Sequence, residues 1–417
     1  MRSRRTLFRR VSTGVLLSCL LLTGAAACEK DDTVTSGATA DSRTYSLWDP
    51  YTQFTSSSEW PRLVQRCGKE SGVKIRRTGF ETTQLTDKAL LAAQQGHPPD
   101  VLVVDNPDVS SLAEAGALVD ADEFGMSTTG MSANLLRAGR YQGKMYGIPV
   151  GANTLALYYN KAILEEAGVD PASVRDWESL NTALKKVART GRMGITFSAT
   201  STEEGTFQFL PWFWGAGAEL GRLDSPAAVR ALSLWSSWLT KGYAPVAVIN
   251  NSQSTAWEDF LTGDYAFVEN GTWQLENARA SGLSWGVIVL PGERGGIAPS
   301  PIGGEFITAP RQGDPGRYEV SRSIISCLTQ GKNALAADTA LTYIAAHPEV
   351  QDQQVAARPW LEPWVKAVRS AQGRTQEDLI GSRYREVSAA LWTAVQAVLT
   401  EGRGPVPALA AAQARLQ

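Results

Sequence analysis

The chain has 417 residues, enough for two ordinary domains around a large buried core. Its 43% hydrophobic and 20% charged content excludes a disordered or fibrous protein. Formal charge is −2; without the five arginines at positions 2, 4, 5, 9 and 10 it falls to about −7 (35 basic residues against 42 acidic), which gives no electrostatic reason to bind nucleic acid.

Those arginines form a basic start that runs into an apolar stretch, Val11 to Leu22, and the small residues Gly24-Ala25-Ala26-Ala27 before Cys28. Residues 1–27 read as a secretory signal, too short and wrongly flanked for a stable membrane span. Cys28 stands where a lipoprotein lipobox puts its lipid-modified cysteine, with Ala25 where Leu is usual, and residues 28–42 have the composition of a flexible tether. This predicts an exported protein anchored through Cys28 to the outer face of the cytoplasmic membrane. Ser3-Arg4-Arg5-Thr6-Leu7-Phe8-Arg9 resembles a twin-arginine export motif with Leu and Phe exchanged, though arginine clusters also suit the general route. Of the four cysteines, Cys67 and Cys327 fall in the folded body, where an extracellular location permits a disulfide. Cys67 also continues the stripe Trp60, Leu63, Val64, which suits a buried small hydrophobe equally well.

From Thr44 onward strand and helix alternate. Tyr45 to Trp48 reads as a strand, a helix capped by Ser58 follows, and Val73 to Arg77 returns as a strand. Thr86 to Gln95 is a helix ended by Gly96, and the apolar run Val101 to Val104 suits a strand buried on both faces. Strands that alternate with helices imply parallel pairing. A second cycle begins after Tyr146-Gly147-Ile148-Pro149, with a strand at Leu155 to Tyr159 and a helix at Lys161 to Ala167. Asp176 caps a helix with Trp177, Leu180, Leu184 and Val187 on one face. Tyr265 to Glu269, Leu283 to Leu290 and Glu305 to Ala309 read as further strands, and the last hundred residues as mainly helical. Two α/β lobes are the simplest account.

Ordered motifs then carry a resemblance. Pro99-Asp100-Val101 with Ala115-Gly116-Ala117-Leu118-Val119, Tyr146-Gly147-Ile148-Pro149, Tyr158-Tyr159-Asn160-Lys161, Ala167-Gly168-Val169-Asp170 and Trp177-Glu178-Ser179-Leu180 match one family's series in order and spacing. Phe260 to Phe267, Asn270-Gly271-Thr272-Trp273, Pro291-Gly292 and Pro301 to Glu305 extend it. The chain resembles the extracellular solute-binding proteins (family 1 type) that serve carbohydrate ABC importers. It departs near residue 342, where Thr342 replaces a Gly and Ala345 a Pro. The resemblance implies a two-lobe periplasmic-binding-protein-like fold of type II, each lobe a mixed sheet flanked by helices, hinged around a ligand cleft. It implies chain crossings near Gly151, Gly304 and His347, giving lobe 1 as 43–151 plus 305–346 and lobe 2 as 152–304 plus 347–417. It also implies a monomeric, non-enzymatic sugar binder that partners a membrane permease and touches the membrane only through its lipid.

In open α/β sheets a ligand sits at the carboxyl ends of strands, and a sugar needs a flat apolar surface with polar groups around its rim. Candidates at such ends are Trp48, Asp49, Asp105, Asn106, Asn153, Asn270 and Trp273, with Gly304 and Glu305 at a crossing where missing side chains would let backbone approach a ligand. Trp273 is placed like the family's stacking aromatic. Trp212 and Trp214 lie in an aromatic helix-to-loop segment as further platforms, whereas Trp177, Trp235 and Trp238 recur at helical spacing and suit a core. Glu203 and Glu204 read as a solvated face. No cofactor or metal is expected: His97 and His347 are far apart, and no Cys/His spacing suits zinc. A Ser-His-Asp enzyme lacks its G-x-S-x-G elbow. A glycoside hydrolase and a binder of peptides or polyamines are the alternatives.

Overall fold

Runs of apolar, β-branched residues separated by amphipathic helices are built to bury strands between helical layers. The computed structural model describes residues 43–375 and 379–417, so the signal, the tether and Cys28 lie outside the described residues. Its strands are β1 (Thr44–Asp49), β2 (Lys74–Gly79), β3 (Val101–Asp105), β4 (Arg140–Tyr141), β5 (Lys144–Met145), β6 (Gly147–Pro149), β7 (Leu155–Asn160), β8 (Met193–Thr196), β9 (Tyr265–Gly271), β10 (Trp285–Ile288) and β11 (Glu305–Thr308).

One sheet has the order β2-β1-β3-β11-β6, the other β10-β7-β9-β8. Strands β1, β2 and β3 pair in parallel, as their alternation with helices predicts; β11 runs antiparallel to both β3 and β6, which makes the sheet mixed. That antiparallel register sets Glu305 opposite Asp105. In the second sheet β7 is antiparallel to β9 and β10, and β8 is parallel to β9. The short strand β8 and the β4–β5 hairpin have no clear signature in sequence, since two to four residues are too few for a period to register.

Each sheet has its own packing. Around the second, Trp212 meets Trp238 edge-on at 4.9 Å, and Trp235 meets Phe209 at 5.0 Å. Such pairs contribute about 0.5–1.5 kcal/mol each beyond the area they bury. The helix Trp177–Arg189 begins with the anticipated Asp176 cap, whose carboxylate accepts from the Ser179 N–H at 2.7 Å while Ser179 reaches back to the Asp176 N–H. No helix among the described residues is long and apolar enough to cross a membrane. Cys67, on the helix Glu59–Glu70, is bonded to Cys327, on the helix Tyr318–Thr329. Cys67 is at the same time fully buried.

The chain passes between the sheets in three adjacent segments tied by backbone hydrogen bonds. Ala152 and Ile344 exchange two bonds of 2.8 Å, and Asn153 and Gly303 exchange bonds of 3.2 and 3.0 Å. The third segment is engaged at Ile344, and His347 instead precedes the helix Pro348–Ala357. Gly304 has φ +90°, and a Cβ there would stand 3.1 Å from the Gly151 carbonyl. The missing side chains at this crossing let the segments approach each other, which differs from their expected role of opening backbone to a ligand.

Thr342, standing where the resembled family has Gly, takes φ +58° as the left-handed cap of the helix Gly331–Leu341. A β-branched residue is strained there. Thr342→Gly relieves about 1–2 kcal/mol of that strain but adds about 0.5–1 kcal/mol of unfolded-state entropy, so a net gain of about 0.5–1 kcal/mol is expected. Urea unfolding of the two chains checks it; a lower midpoint for the glycine variant would contradict the strain.

Candidate functional site

β3 ends at Asp105 and the chain turns directly into the helix Asn106–Glu114, whose start is capped by the Asp105 carboxylate. On the second sheet the segment beyond β8 leads into the helix Glu203–Gly215. These ends border a cavity of about 400 Å³ whose lining includes Thr82, Asp105, Asp108, Glu203, Arg374 and Trp392. A depression of similar size near Asn134 and Arg369 has no aromatic or acidic lining, so chemistry rather than volume distinguishes the first.

Arg374 connects the two sides. Its side chain is 2% exposed; Nη1 donates to Glu203 Oε1 at 2.8 Å and Nη2 donates to Asp105 Oδ1. The guanidinium lies 5.1 Å from the Phe207 ring centroid and 5.6 Å from that of Tyr384. Burial works against its charge, but Asp105, Tyr384 and Glu203 outweigh this and hold it firmly cationic. The hydroxyls of Tyr384 and Ser388 also donate to Glu203. A second bridge runs from Arg385 to Asp108 at 2.9 Å, and Asp108 also accepts from Thr86 at 2.6 Å. Glu203 and Phe207 stand four residues apart on one helix and so share a face. Trp273 is half-buried with its ring 6.3 Å from that of Phe207, which is itself buried beside Arg374.

The other sequence candidates divide. Asp105 lines the cavity, and Asn153 is half-buried at the crossing. Glu305 is also half-buried; its carboxylate accepts from Tyr51 at 2.8 Å and from Tyr343. Burial pushes Glu305 up to about 7 and the like charge of Asp105 adds to this, against the pull of the two hydroxyls. Asn106 is enclosed, its amide donating to the carbonyls of Ile302 at 2.9 Å and Gly304 at 3.3 Å, so it fastens the crossing. Asn270 is likewise enclosed, its amide donating to the Gln253 carbonyl at 2.9 Å and its oxygen accepting from the Gly271 N–H.

Four expectations of ligand contact meet a different placement. Asp49 is fully buried beneath Arg77, at 2.6 and 2.7 Å, and the Trp60 indole, at 2.8 Å. Trp48 packs edge-on against Phe80 at 4.9 Å and is 8% exposed. Trp212 is fully buried and its indole N–H donates to Glu269 at 2.8 Å. Trp214 is buried in the same core, because the helix continues through Pro211 instead of opening into a loop. Conversely Glu203, read as a solvated acid, is part of the charged cluster. Arg374, Phe207 and Trp392 were not among the candidates. The i, i+4 spacing from Glu203 is a signal that points to one of these three, Phe207; nothing local marks Arg374. No group of three His, Cys, Asp or Glu among the described residues is placed to hold a metal ion.

The family model described as bacterial extracellular solute-binding protein matches residues 62–363. The chain belongs to that family. A maltodextrin-binding protein of Bacillus subtilis is 23% identical over 315 residues, 70% of each chain. A maltooligosaccharide ABC transporter solute-binding lipoprotein of Streptococcus pneumoniae is 25% identical over 54% of each. Among solved structures, the cyclic alpha-maltosyl-1,6-maltose binding protein of Arthrobacter globiformis superposes with a TM-score of 0.76 at 21% identity, covering 89% of this chain and 97% of its own. UgpB of Mycobacterium tuberculosis in complex with glycerophosphocholine gives 0.75 at 22%, covering 90% and 97%. The fold is that of the type II periplasmic sugar-binding proteins: two lobes, each built on a mixed sheet flanked by helices.

Because Glu305 is raised from 4.5 to about 7, the folded chain binds a proton there that the unfolded chain has released. Its contribution therefore favours folding at low pH and is lost as pH rises from about 4.5 to about 7. Glu305→Gln cannot ionise, so the fall in thermal midpoint across that window should become shallower. A fall as steep as in the parent chain would show that Glu305 titrates normally.

Proposed function

We propose that this chain is the substrate-binding component of an ABC importer, which captures an extracellular sugar by hinge closure and delivers it to a membrane permease. Its lobes would be 43–151 plus 305–346 and 152–304 plus 347–417, so that every strand of one sheet falls in the first and every strand of the other in the second. The observation that carries the reading is the cavity bordered by Asp105 from one sheet's end and Glu203 from the other and lined by the half-buried Trp392, with the half-buried Trp273 as a further flat ring. Acids that accept from sugar hydroxyls and flat rings that cover C–H faces are what a sugar requires. The ligands named for the Bacillus and Streptococcus relatives support the same substrate class.

In this mechanism Trp273 stacks on the sugar, with Asp105, Asn153 and Glu305 at the rim. The backbone ties at Ala152–Ile344 and Asn153–Gly303 act as the pivot. The ligand stabilises the closed form only through contacts that the open form lacks. No bond is made or broken, so a sugar recovered after incubation should be intact. A lipid on Cys28 would hold the monomer at the membrane face beside the permease.

A thermal-shift screen of mono- and malto-oligosaccharides, with peptides, polyamines and glycerophosphodiesters as controls, should raise the midpoint only with sugars. Stabilisation by a control class alone would overturn the substrate assignment, and release of reducing sugar from glycosides would favour a hydrolase. Trp273→Ala should then weaken the identified sugar by about tenfold or more at an unchanged midpoint. Unchanged affinity with lowered stability would mark Trp273 as core.

A further inference from the structure

Asp105 and Glu203 approach one guanidinium from opposite lobes, and their other partners are neutral: Asn106 for the first, Tyr384 and Ser388 for the second. The neighbouring acid Asp108 has its own cation in Arg385, and Glu305 takes its contacts from tyrosine hydroxyls. The buried guanidinium of Arg374 therefore balances two partly exposed carboxylates. Its Nε–H is buried and has no hydrogen-bond partner among the described residues.

We propose that Arg374 sets the charge specificity of the cleft: by neutralising Asp105 and Glu203 it makes the seat accept uncharged sugars and reject amino-bearing, cationic ones. The inference rests on the sugar-binding reading and adds to it the residue that discriminates. Two partly buried carboxylates that share one guanidinium repel each other, and each favours a nearby cation. While the guanidinium is present that demand is met, and a second cation entering the cavity meets a positive charge. With Arg374 removed, the same two acids form a cation site lined by the faces of Phe207 and Tyr384, which themselves favour a positive charge.

Calorimetric titration of maltotriose and of glucosamine into the parent chain and Arg374→Gln reads this directly. The ratio of the two affinities should shift toward glucosamine by about tenfold or more in the variant. Adding Glu203→Gln to Arg374→Gln should reverse much of that shift, and Arg374→Lys, which keeps the charge, should preserve the parent's preference. An equal loss of both sugars in Arg374→Gln would overturn the proposal and make Arg374 an ordinary ligand contact. If the parent binds neither sugar, the sugar reading fails on its own, and the charge argument is still decided by Arg374→Ala. Methylguanidinium should raise that variant's thermal midpoint while leaving the parent unchanged against a sodium chloride control. A folded Arg374→Ala chain that methylguanidinium does not stabilise would overturn the charge assignment.

Discussion

Four backbone hydrogen bonds, between Ala152 and Ile344 and between Asn153 and Gly303, draw three separate chain segments into one narrow junction between the sheets. A junction that close tolerates little bulk. A Cβ on Gly303 would meet the Asn153 Oδ1 at 1.9 Å, and one on Gly151 would meet the Asp338 carboxyl at 2.2 Å. Asn106 secures the same segment from β3, and Val150 donates to the Glu305 carbonyl at 3.1 Å. The orientation of Asp105, Asn153 and Glu305 thus follows from how the crossing is stitched. A short junction fixed by hydrogen bonds restricts relative motion of two lobes to rotation about it.

What the crossing holds near, the charged cluster joins. Asp105–Arg374–Glu203 and Asp108–Arg385 both span from residues of the first sheet's side to residues of the second's. In the first the cation is buried and its acids are partly exposed, whereas in the second the cation is half-exposed and its acid buried, so salt screens the Arg385 guanidinium more than that of Arg374. Since removal of an acid leaves the buried Arg374 charge less compensated, the first bridge specifies an arrangement more than it adds stability.

Local chemistry made much of the fold legible. Val101 to Val104 announced a strand buried on both faces, Asp176 a capped helix, and the ordered motif series the two-lobe architecture. The site was less legible because sequence reports residue type but not facing. Asp49 and Trp212 sit at places where a ligand group would be plausible, yet each is enclosed by a partner far away in the chain or on another element: Arg77 for the first, Glu269 and Trp238 for the second. Arg374 lies 269 residues from Asp105 and 171 from Glu203, and no periodicity encodes pairs at such separations. The aromatic segment reads as helix-to-loop for a related reason, because sequence does not show that the helix runs on to Gly215 and turns both indoles into the core.

The disulfide has a topological effect separate from any stabilising one. With its cysteines 260 positions apart in sequence, it closes a covalent ring that contains all four strands of the second sheet. A protease that cuts one exposed loop between these strands therefore yields two polypeptides that stay linked through the bridge. For a member of an extracellular solute-binding family, one bond between two helices packed on the first sheet thus protects the continuity of the chain that builds the second.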